Sequence, residues 1–476
     1  MTYTFYLLTD PHFLAHESWV PGQSVDMRER GDQIALKASP EIFDAFCEKF
    51  LADESADTLL ITGDLVNNGA VTDHEAFRKR LAALAAKGKR VLVTTATHDY
   101  ASCGRDENIF TAVRYTETGT EKVDSLYKTD LTEFYWDYGP KQADSLHENS
   151  GSYALDLTEG LRLVMINDNG NGRSHCGLFE DGVRWLTEEI DRANAEGKKV
   201  ILAVHHPVIP PWDVYAHLVD FEMYGGYREL SRLMCEKGVR VVFTGHTHVQ
   251  NIRKYEDGEG RYFYDVSTTA MGTPEGKMRK IVYDNETQTL DVTSVGIETI
   301  PGVTAPGQSA GDYIYGLNFI GLLENTLPYL KTDWEKFVSG VKGFLPEDKL
   351  RAHPRLWKKA LSVAEGLKLS LPAKFGKKYN GLTRAEIKAL RTHPLIPDVF
   401  KVVAKVFAGN GPFGPGTVEY RVFTGMTKRV DHIQEKLKIK KLAGFIPKGQ
   451  TLTDVLEPML YNNRTGDDDS IRIALE

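Results

Sequence analysis

The sequence has few of the features that mark secreted, membrane-spanning or fibrous chains. Its four cysteines in 476 residues are widely spaced, which excludes a disulfide framework and a zinc-knuckle pattern. It has no convincing run of about 18 uncharged apolar residues and no cleavable secretory signal, so membrane spanning and secretion are not expected. No internal repeat or low-complexity tract is present. We therefore expect a globular protein of a reducing compartment, the cytoplasm.

The net charge of −8 is unevenly distributed along the chain. Residues 301–476 hold 27 basic and 18 acidic side chains, a net charge of +9, so residues 1–300 carry −17. Within the basic part, residues 351–450 alone hold 21 basic and 6 acidic side chains. A basic surface attracts phosphate-rich partners, and it also suits docking on an acidic domain of the same chain. We favour docking over nucleic-acid binding, with oligomerisation as an open alternative.

Five apolar runs in the N-terminal part end abruptly in polar residues. These polar ends are Asp10-Pro11-His12, Gly63-Asp64, Thr97-His98-Asp99, His205-His206-Pro207 and Gly245-His246-Thr247-His248. Continuous apolar runs predict strands buried on both faces, and helical periodicity lies between several of them. The alternation predicts a layered α/β domain whose chemistry lies at the carboxyl ends of its strands.

Two segments interrupt this alternation. Residues 100–150 are polar and rich in aromatic side chains, which indicates an insertion beside the site or a surface subdomain. A Pro- and Gly-rich stretch at residues 301–311 indicates a linker, and helical periodicity dominates after it, with a capping box from Thr383 to Glu386. We predict a catalytic domain at residues 1–300 and a mainly helical accessory domain at residues 301–476.

The polar strand ends are rich in side chains that bind metals. Two residues apart on extended backbone, side chains project to the same side, so Asp10 with His12 and His246 with His248 can each offer two ligands. Imidazole and carboxylate together suit manganese, iron, zinc or cobalt better than a hard ion held by oxygen alone. Turn hydrogen bonds explain any one of these pairs, but five such elements favour a metal centre.

The order of these motifs resembles the calcineurin-like metallophosphoesterases over about residues 3–270, and within them the class of cyclic-nucleotide phosphodiesterases and glycerophosphodiesterases. The resemblance implies a four-layer α/β/β/α sandwich and two divalent or mixed-valence metal ions. It implies a first metal on Asp10, His12 and His248, a second on His205 and His246, and Asp64 bridging both. It further implies attack by a hydroxide between the metals, with His98, oriented by Asp99, assisting the leaving group.

One motif departs from the family pattern. The family has an asparagine before the His-Asp pair, and its amide oxygen binds the second metal, whereas this chain has Thr97. A hydroxyl is a poorer neutral ligand, so we expect a weaker second site. Asn67 and Asn68 are possible substitutes, although a turn role is favoured for them. His206 adjoins a ligand and either binds substrate or supports its neighbours.

We therefore predict a metal-dependent hydrolase that acts on a small phosphodiester, such as a cyclic nucleotide or a glycerophosphodiester. One alternative is a phosphomonoesterase or nuclease of the same superfamily. Another is a metal-poor protein that binds a nucleotide and regulates a partner, as Thr97 allows. Loops at residues 100–150 and 208–225 set specificity, and their aromatic residues either stack on a base or lie in the core; those of the second loop are Trp212, Tyr215, Tyr224 and Tyr227.

Overall fold

The computed structural model describes residues 1–101, 111–168, 176–218, 222–317, 326–341, 347–437, 446, 449–461 and 467–476. Within these ranges the strands are β1 (Thr2–Leu8), β2 (Ala56–Thr62), β3 (Arg90–Thr94), β4 (Val113–Tyr115), β5 (Thr120–Lys122), β6 (Ser145–His147), β7 (Ser152–Thr158), β8 (Leu161–Ile166), β9 (Lys199–Val204), β10 (Val241–Thr244), β11 (Asn251–Glu256), β12 (Tyr262–Ser267), β13 (Lys277–Asp284), β14 (Thr289–Gly296) and β15 (Ser470–Ala474). The apolar runs that precede the five polar motifs are β1, β2, β3, β9 and β10.

These strands form two large sheets and one hairpin. The first sheet has the order β15-β14-β13-β1-β2-β3, the second has the order β11-β12-β10-β9-β8-β7-β6, and β4 pairs with β5. In the first sheet β1, β2 and β3 are parallel. In the second sheet β8, β9, β10 and β12 are parallel. Parallel neighbours bring their carboxyl ends, and the polar motifs that follow them, to one edge of each sheet.

The two large sheets pack face to face. Phe5 on β1 meets Phe243 on β10 edge to face, with ring centroids 6.5 Å apart. Leu7 and Leu60 of the first sheet lie in the same buried cluster as Leu163 of the second. These side chains alternate with others that point to the outer faces, because successive residues of a strand face opposite sides. The apolar layer between the sheets therefore fixes the distance between the two sets of strand ends.

Helices cover the outer face of each sheet. The helices of the N-terminal part are α1 (Gln23–Asp32), α2 (Ser39–Ala52), α3 (Val71–Ala86), α4 (Leu131–Phe134), α5 (Glu180–Ala195), α6 (Tyr215–Leu218) and α7 (Tyr227–Lys237). Phe43 of α2 and Phe77 of α3 pack on the first sheet, whereas Leu186 of α5 and Met234 of α7 pack on the second. The predicted four-layer α/β/β/α sandwich is confirmed.

The segment at residues 111–150 extends the second sheet and reaches the strand ends. It contains the β4–β5 hairpin and α4, and β6 pairs with β7 at the sheet edge. The Tyr115 hydroxyl accepts hydrogen bonds from the side-chain amides of Asn67 and Asn68, both at 3.1 Å. Part of the predicted insertion therefore lies beside the residues that follow β2. Residues 102–110, including Cys103, lie outside the described ranges.

The C-terminal region is mainly helical. Its described helices are Ala310–Leu317, Tyr329–Thr332, Trp334–Gly340, Glu347–Ala352, Pro354–Gly366, Ser370–Phe375, Lys377–Asn380, Arg384–Ala389, Leu395–Phe407, Val418–Leu437 and Leu452–Leu460. The Thr383 hydroxyl accepts from the Glu386 backbone N–H at 3.2 Å, as the capping box predicts. Across the described residues, no helix has both the length and the apolar character needed to cross a bilayer.

The helical region contacts the N-terminal part mainly through apolar and backbone groups. Phe407 packs against Trp212 with ring centroids 5.4 Å apart, and its carbonyl accepts from the Gln250 backbone N–H at 3.0 Å. Within the described ranges two ion pairs cross residue 300, Lys277–Asp469 and Arg472–Asp291. Docking of the basic segment on the acidic part of the chain remains a prediction.

The end of the chain returns to the first sheet. β15 pairs with β14 in antiparallel register, from Thr289 opposite Ala474 to Thr293 opposite Ser470. Just before it, the Asp468 carbonyl accepts from the buried Arg279 guanidinium at 2.7 Å. The predicted division at residue 300 did not include this strand. Five residues after an acidic run give too weak a periodic signal to predict a strand.

Candidate metal centre

The structure brings all five polar motifs to one place between the two sheets. Asp10 follows β1 and Asp64 follows β2 in the first sheet, while His205 follows β9 and His246 follows β10 in the second. Each pair of strands is parallel, so the side chains leave from neighbouring carboxyl ends. All four residues are buried or nearly so. A closed cluster of carboxylates and imidazoles results.

The backbone that carries these side chains is strained. Among the described residues, eight non-glycine residues have a positive φ, and five of them are in the cluster: Asp10, His12, Asp64, His246 and His248. Left-handed backbone is uncommon for such residues and concentrates at functional sites. The two glycines of the motifs are sterically required as well. A Cβ on Gly63 would lie 2.6 Å from His205 Nδ1, and one on Gly245 would lie 2.0 Å from Thr9 Oγ1.

Asp10, His12 and His248 form the first group that could hold a metal ion. His248 Nε2 lies 3.3 Å from Asp10 Oδ1 and 3.1 Å from His12 Nε2. His12 Nε2 is also 3.8 Å from Asp10 Oδ1. These separations allow one carboxylate oxygen and two imidazole nitrogens to approach a single cation. The group contains the three residues predicted for the first metal.

Asp64 connects this group to a second one. It lies with His205 and His246 in one potential ligand group and with His12 and His98 in another. Asp64 Oδ2 is 3.1 Å from His205 Nε2 and 3.8 Å from His12 Nε2. One carboxylate is therefore within reach of both sets of imidazoles, as expected of a residue that bridges two metals.

Several buried atoms of the cluster have no hydrogen-bond partner. They are Asp10 Oδ1, His12 Nδ1 and His205 Nε2. Buried polar atoms are almost always satisfied, so unpartnered ones in a group of this composition fit a site built for cations. Despite burial, the neighbouring His205 lowers the pKa of both Asp10 and Asp64. Both carboxylates are thus ionised and available as ligands.

Thr97 lies at the second half of the cluster but is engaged by His206. The Thr97 hydroxyl is 3.4 Å from His206 Nε2, and the rings of His206 and His246 are in contact, with centroids 4.1 Å apart and an angle of 39° between their planes. His206 donates its backbone N–H and its Nδ1–H to Asp168 Oδ2, at 2.8 and 2.7 Å. His206 therefore faces the cluster, and Asp168 orients it. Both roles expected from the sequence, substrate binding and support of neighbouring ligands, are compatible with this position.

Asn67 and Asn68 do not replace the missing asparagine. Their side-chain oxygens accept from Arg28 Nη2, each at 3.3 Å, and their amide groups donate to Tyr115. These bonds draw both side chains towards α1 and the β4–β5 hairpin. The favoured reading of this segment as a structural turn agrees with these contacts.

Glu222 contacts the second half of the cluster and was not foreseen from the sequence. Its Oε2 lies 2.5 Å from His246 Nε2. With Nε2 engaged, Nδ1 is the nitrogen of His246 left to face Asp64 and His205. A carboxylate on the outer nitrogen of a metal-binding histidine fixes its tautomer and orientation. Glu222 belongs to no recognisable motif, so only its position in the fold reveals it.

His98 faces the cluster, but Asp99 does not orient it. His98 Nδ1 contacts the Asn67 carbonyl at 2.5 Å, and Nε2 lies 4.0 Å from Asp64 Oδ2. The Asp99 carboxylate instead accepts the backbone N–H groups of Val66 and Ala96, at 3.1 and 2.7 Å. This corrects the predicted role: Asp99 shapes the loop after β3, and a backbone carbonyl holds the imidazole.

The aromatic residues of the 208–225 loop are mostly structural. Trp212 and Tyr224 are buried, and Trp212 packs on Phe407. The Tyr224 hydroxyl accepts from the Leu178 backbone N–H at 3.0 Å. For these two residues the core interpretation is correct and base stacking is not.

At the strand ends of the four-layer sandwich, the Asp and His side chains thus form a buried cluster of candidate metal ligands. The model of the calcineurin-like phosphoesterase family matches residues 3–250, and the chain belongs to that family. The predicted resemblance is confirmed. No curated protein matches the sequence at a significant level.

Several solved structures resemble the chain at low sequence identity. A dimetal phosphatase from Danio rerio is 12% identical, with a TM-score of 0.44, over 63% of this chain and 98% of its own. The purple acid phosphatase PPD1 from yellow lupin, Lupinus luteus, is 11% identical, with a TM-score of 0.37, over 62% of this chain and 52% of its own. The NAD nucleotidase of Haemophilus influenzae is 10% identical, with a TM-score of 0.29, over 79% and 71%.

Proposed function

We propose that the protein hydrolyses a small phosphodiester, of the cyclic-nucleotide or glycerophosphodiester type, with the help of two transition-metal ions. The observation that carries the proposal is Asp64, whose carboxylate lies within reach of His12 on one side and His205 on the other. Asp10, His12 and His248 would hold the first ion and His205 and His246 the second. Manganese, iron and zinc suit this set of ligands.

Two cations held by these residues would lower the pKa of a bound water molecule and withdraw charge from the phosphoryl oxygens. The chain itself supplies the positioning. His205 is held by Nδ1 on the Thr62 carbonyl at 2.8 Å, which turns Nε2 towards Asp64. Glu222 likewise orients His246 by contacting its Nε2. Because the imidazoles are oriented before substrate binds, little reorganisation accompanies the reaction.

His98 is the residue that we assign to the leaving group. Its Nδ1–H is held by the Asn67 carbonyl, which leaves Nε2 facing the cluster. Burial outweighs the nearby Asp64 and lowers the pKa of His98 to about 4. An anionic phosphoryl group beside the ring favours the imidazolium and raises this pKa. Protonated Nε2 then donates its proton to the departing alkoxide.

The charge around the cluster favours a diester over a monoester. Arg28 approaches from α1, but its Nε lies 2.7 Å from Asp32 Oδ2, so much of its charge is neutralised. A phosphomonoester dianion carries one more negative charge than a diester at neutral pH. A monoester would therefore gain more from a further cation beside the metal ions, and the pairing of Arg28 with Asp32 reduces that contribution, which supports the diester.

The test compares two chromogenic substrates, bis-p-nitrophenyl phosphate and p-nitrophenyl phosphate, with added Mn²⁺. The proposal expects a higher kcat/KM for the diester and no turnover by an Asp64→Ala variant. A preference for the monoester would assign the protein to the phosphomonoesterases. Absence of turnover with either substrate, in protein shown to hold metal, would favour a binding or regulatory role.

A further inference from the structure

One helix of the C-terminal region has apolar side chains on two faces, of which only one is covered. The Pro354–Gly366 helix contains no buried residue over its 13 positions. Trp357 and Leu361, four residues apart, pack against the helices that precede it. Leu356 and Val363 are 67% and 62% exposed, and a spacing of seven residues places them together on another face. The helix therefore presents an uncovered apolar face.

The next helix repeats this pattern. The Ser370–Phe375 helix packs Ala373 into a buried cluster, whereas Leu371 and Phe375 are 54% and 45% exposed. These two side chains are four residues apart and share one face of the helix. Lys374, which precedes Phe375, is exposed as well. Two successive helices thus have exposed apolar side chains with basic residues beside them.

Backbone hydrogen bonds hold the junction between the two helices. The Leu367 carbonyl accepts from the Leu395 N–H at 2.9 Å, and the Leu369 N–H donates to the His393 carbonyl at 3.0 Å. The two uncovered faces therefore keep a fixed relation to each other. Among the described residues, 13 large hydrophobic side chains are exposed, and four of them lie in these two helices. Single exposed apolar residues are ordinary, but such a concentration marks an interaction surface.

Basic side chains surround the exposed apolar ones. Residues 354–378, which we call the basic apolar segment, hold seven basic side chains and one acidic side chain, Glu365. Glu365 forms an ion pair with Lys331, outside the segment, at 2.8 Å. Within the part of the chain that the structure describes, none of the seven basic side chains forms an ion pair. The segment therefore carries positive charge that no ion pair neutralises.

Protruding apolar side chains together with unpaired basic ones favour a lipid surface over other anionic partners. A nucleic-acid backbone offers phosphates but no apolar layer for aliphatic side chains such as Leu356 and Val363. An anionic bilayer offers both, because its phosphate groups lie directly above the acyl chains. Lysine suits this boundary, since its methylene stem follows the apolar side chains while its ammonium group reaches the phosphates. The rest of the chain leaves the apolar side chains exposed and does not use them.

We propose that the basic apolar segment docks the protein on the surface of an anionic lipid bilayer. Leu356, Val363, Leu371 and Phe375 enter the boundary between headgroups and acyl chains, and the basic side chains contact lipid phosphates. Helices that bind in this way lie in the plane of the membrane surface. The proposal concerns the helical region and does not depend on the reaction at the metal centre.

Co-sedimentation with vesicles measures the docking directly. The full-length protein is mixed with vesicles of phosphatidylcholine alone or of phosphatidylcholine with phosphatidylglycerol. We expect binding to the anionic vesicles to be at least about tenfold tighter than to the neutral ones. Raising the salt concentration to about 0.5 M should weaken binding to the anionic vesicles, because salt screens the attraction between lysines and phosphates.

Two double variants separate the apolar from the electrostatic contribution. Leu356→Gln with Phe375→Gln should weaken binding to anionic vesicles by about tenfold or more, since it removes inserted side chains without changing the charge. Lys374→Glu with Lys378→Glu should weaken binding to a similar extent and reduce its dependence on salt. All four positions are exposed, and circular dichroism checks that both variants keep the wild-type helix content.

Val183 and Arg184 provide matched controls, as an exposed apolar and an exposed basic residue on α5. Val183→Gln and Arg184→Glu should bind vesicles as the wild-type protein does. Equal binding to neutral and anionic vesicles, binding to neither, or unchanged binding in both double variants overturns the proposal. Tighter binding to a DNA duplex than to anionic vesicles would reassign the segment to nucleic acid. A dimer that binds no vesicles and dissociates in the apolar variant would reassign it to a second copy of the chain.

Discussion

The two halves of the metal centre differ in how far their side chains are already engaged. In the first half, Asp10 Oδ1 and His12 Nδ1 are buried without hydrogen-bond partners, and His205 Nε2 of the second half shares this state. In the second half, His246 is held by Glu222 and Thr97 is in contact with His206. Each half contains three candidate ligands, but the second half has Thr97 where the family pattern has an amide ligand. We therefore expect two ions of unequal affinity.

Loss of the Asp64 carboxylate, which both halves share, is expected to abolish the difference in metal affinity between them. Asp64→Ala removes the one ligand common to both halves, so both ions should be lost and turnover should fall by about four orders of magnitude or more. Metal analysis of dialysed protein checks the stoichiometry, with His12→Ala as the comparison that weakens the first half alone. Retention of both ions by Asp64→Ala would show that it does not bridge them.

Removal of the imidazole beside the cluster separates chemistry from metal binding. His98→Ala should lower kcat for a diester with an alkyl leaving group by about 10²- to 10⁴-fold, because an alkoxide needs a proton. A p-nitrophenolate leaving group needs little assistance, so the decrease in kcat for a p-nitrophenyl diester should be much smaller. Both metal ions should remain.

The role assigned to His98 also predicts how kcat depends on pH. Protonated His98 is the active form, so wild-type kcat for the alkyl diester should fall as pH rises above the pKa of His98 in the substrate complex. His98→Ala should lack this fall. A drop in bound metal in His98→Ala would instead identify His98 as a metal ligand. This alternative is specific because His98 lies in one potential ligand group with His12 and Asp64.

Removal of the carboxylate behind His246 tests the second half. Glu222→Ala should weaken the second ion by about 10- to 100-fold and leave the first unchanged, since it frees His246 to rotate or change tautomer. Titration calorimetry with Mn²⁺ measures the two affinities. Glu222→Gln, which keeps an acceptor, should restore part of the loss, and Glu229→Ala, an exposed glutamate on α7, is the control. Equal weakening of both ions would contradict the assignment.

Restoration of the family's amide ligand should have the smallest effect. Thr97→Asn is expected to tighten the second ion by about tenfold, equivalent to one good neutral ligand, provided that the amide displaces the His206 contact. If dialysed wild-type protein holds two ions with equal affinity, the expected difference in affinity between the two halves is refuted.

The sequence predicted the strand ends well because chemistry and periodicity coincide there. Each apolar run of β1, β2, β3, β9 and β10 is followed by a polar motif, so both signals mark the same boundary. The four-layer arrangement followed from the family resemblance. β15 was missed because pairing with β14, over 170 residues earlier, decides its conformation, and such long-range pairing leaves little trace in a five-residue segment.

The site was predictable to the extent that its ligands lie in local motifs. Glu222 reaches the cluster from a loop that carries no motif, and its role follows from three-dimensional contacts alone. Asp99 was assigned to His98 because the two are adjacent in sequence. The structure shows that adjacency misleads here, since a tight turn after β3 directs Asp99 to backbone N–H groups.

The opposite net charges of the two parts predict docking of the helical region, and this stays a prediction. The contacts described between the two parts include packing of Phe407 on Trp212 and a hydrogen bond from the Gln250 backbone N–H to the Phe407 carbonyl. Net charge reports on long-range attraction, whereas apolar packing decides which surfaces touch.

The pairing of β15 with the first sheet means that this sheet can be completed only late in synthesis of the chain. A chain emerging from the ribosome at about 5–20 residues per second exposes β1 to β14 well before residues 468–474. Until then Arg279 lacks the Asp468 carbonyl, and the Ile252 backbone N–H lacks the Asp468 carboxylate, which accepts it at 2.9 Å. Residues 468–474 therefore complete the first sheet and these two hydrogen bonds only after the helical region has been synthesised.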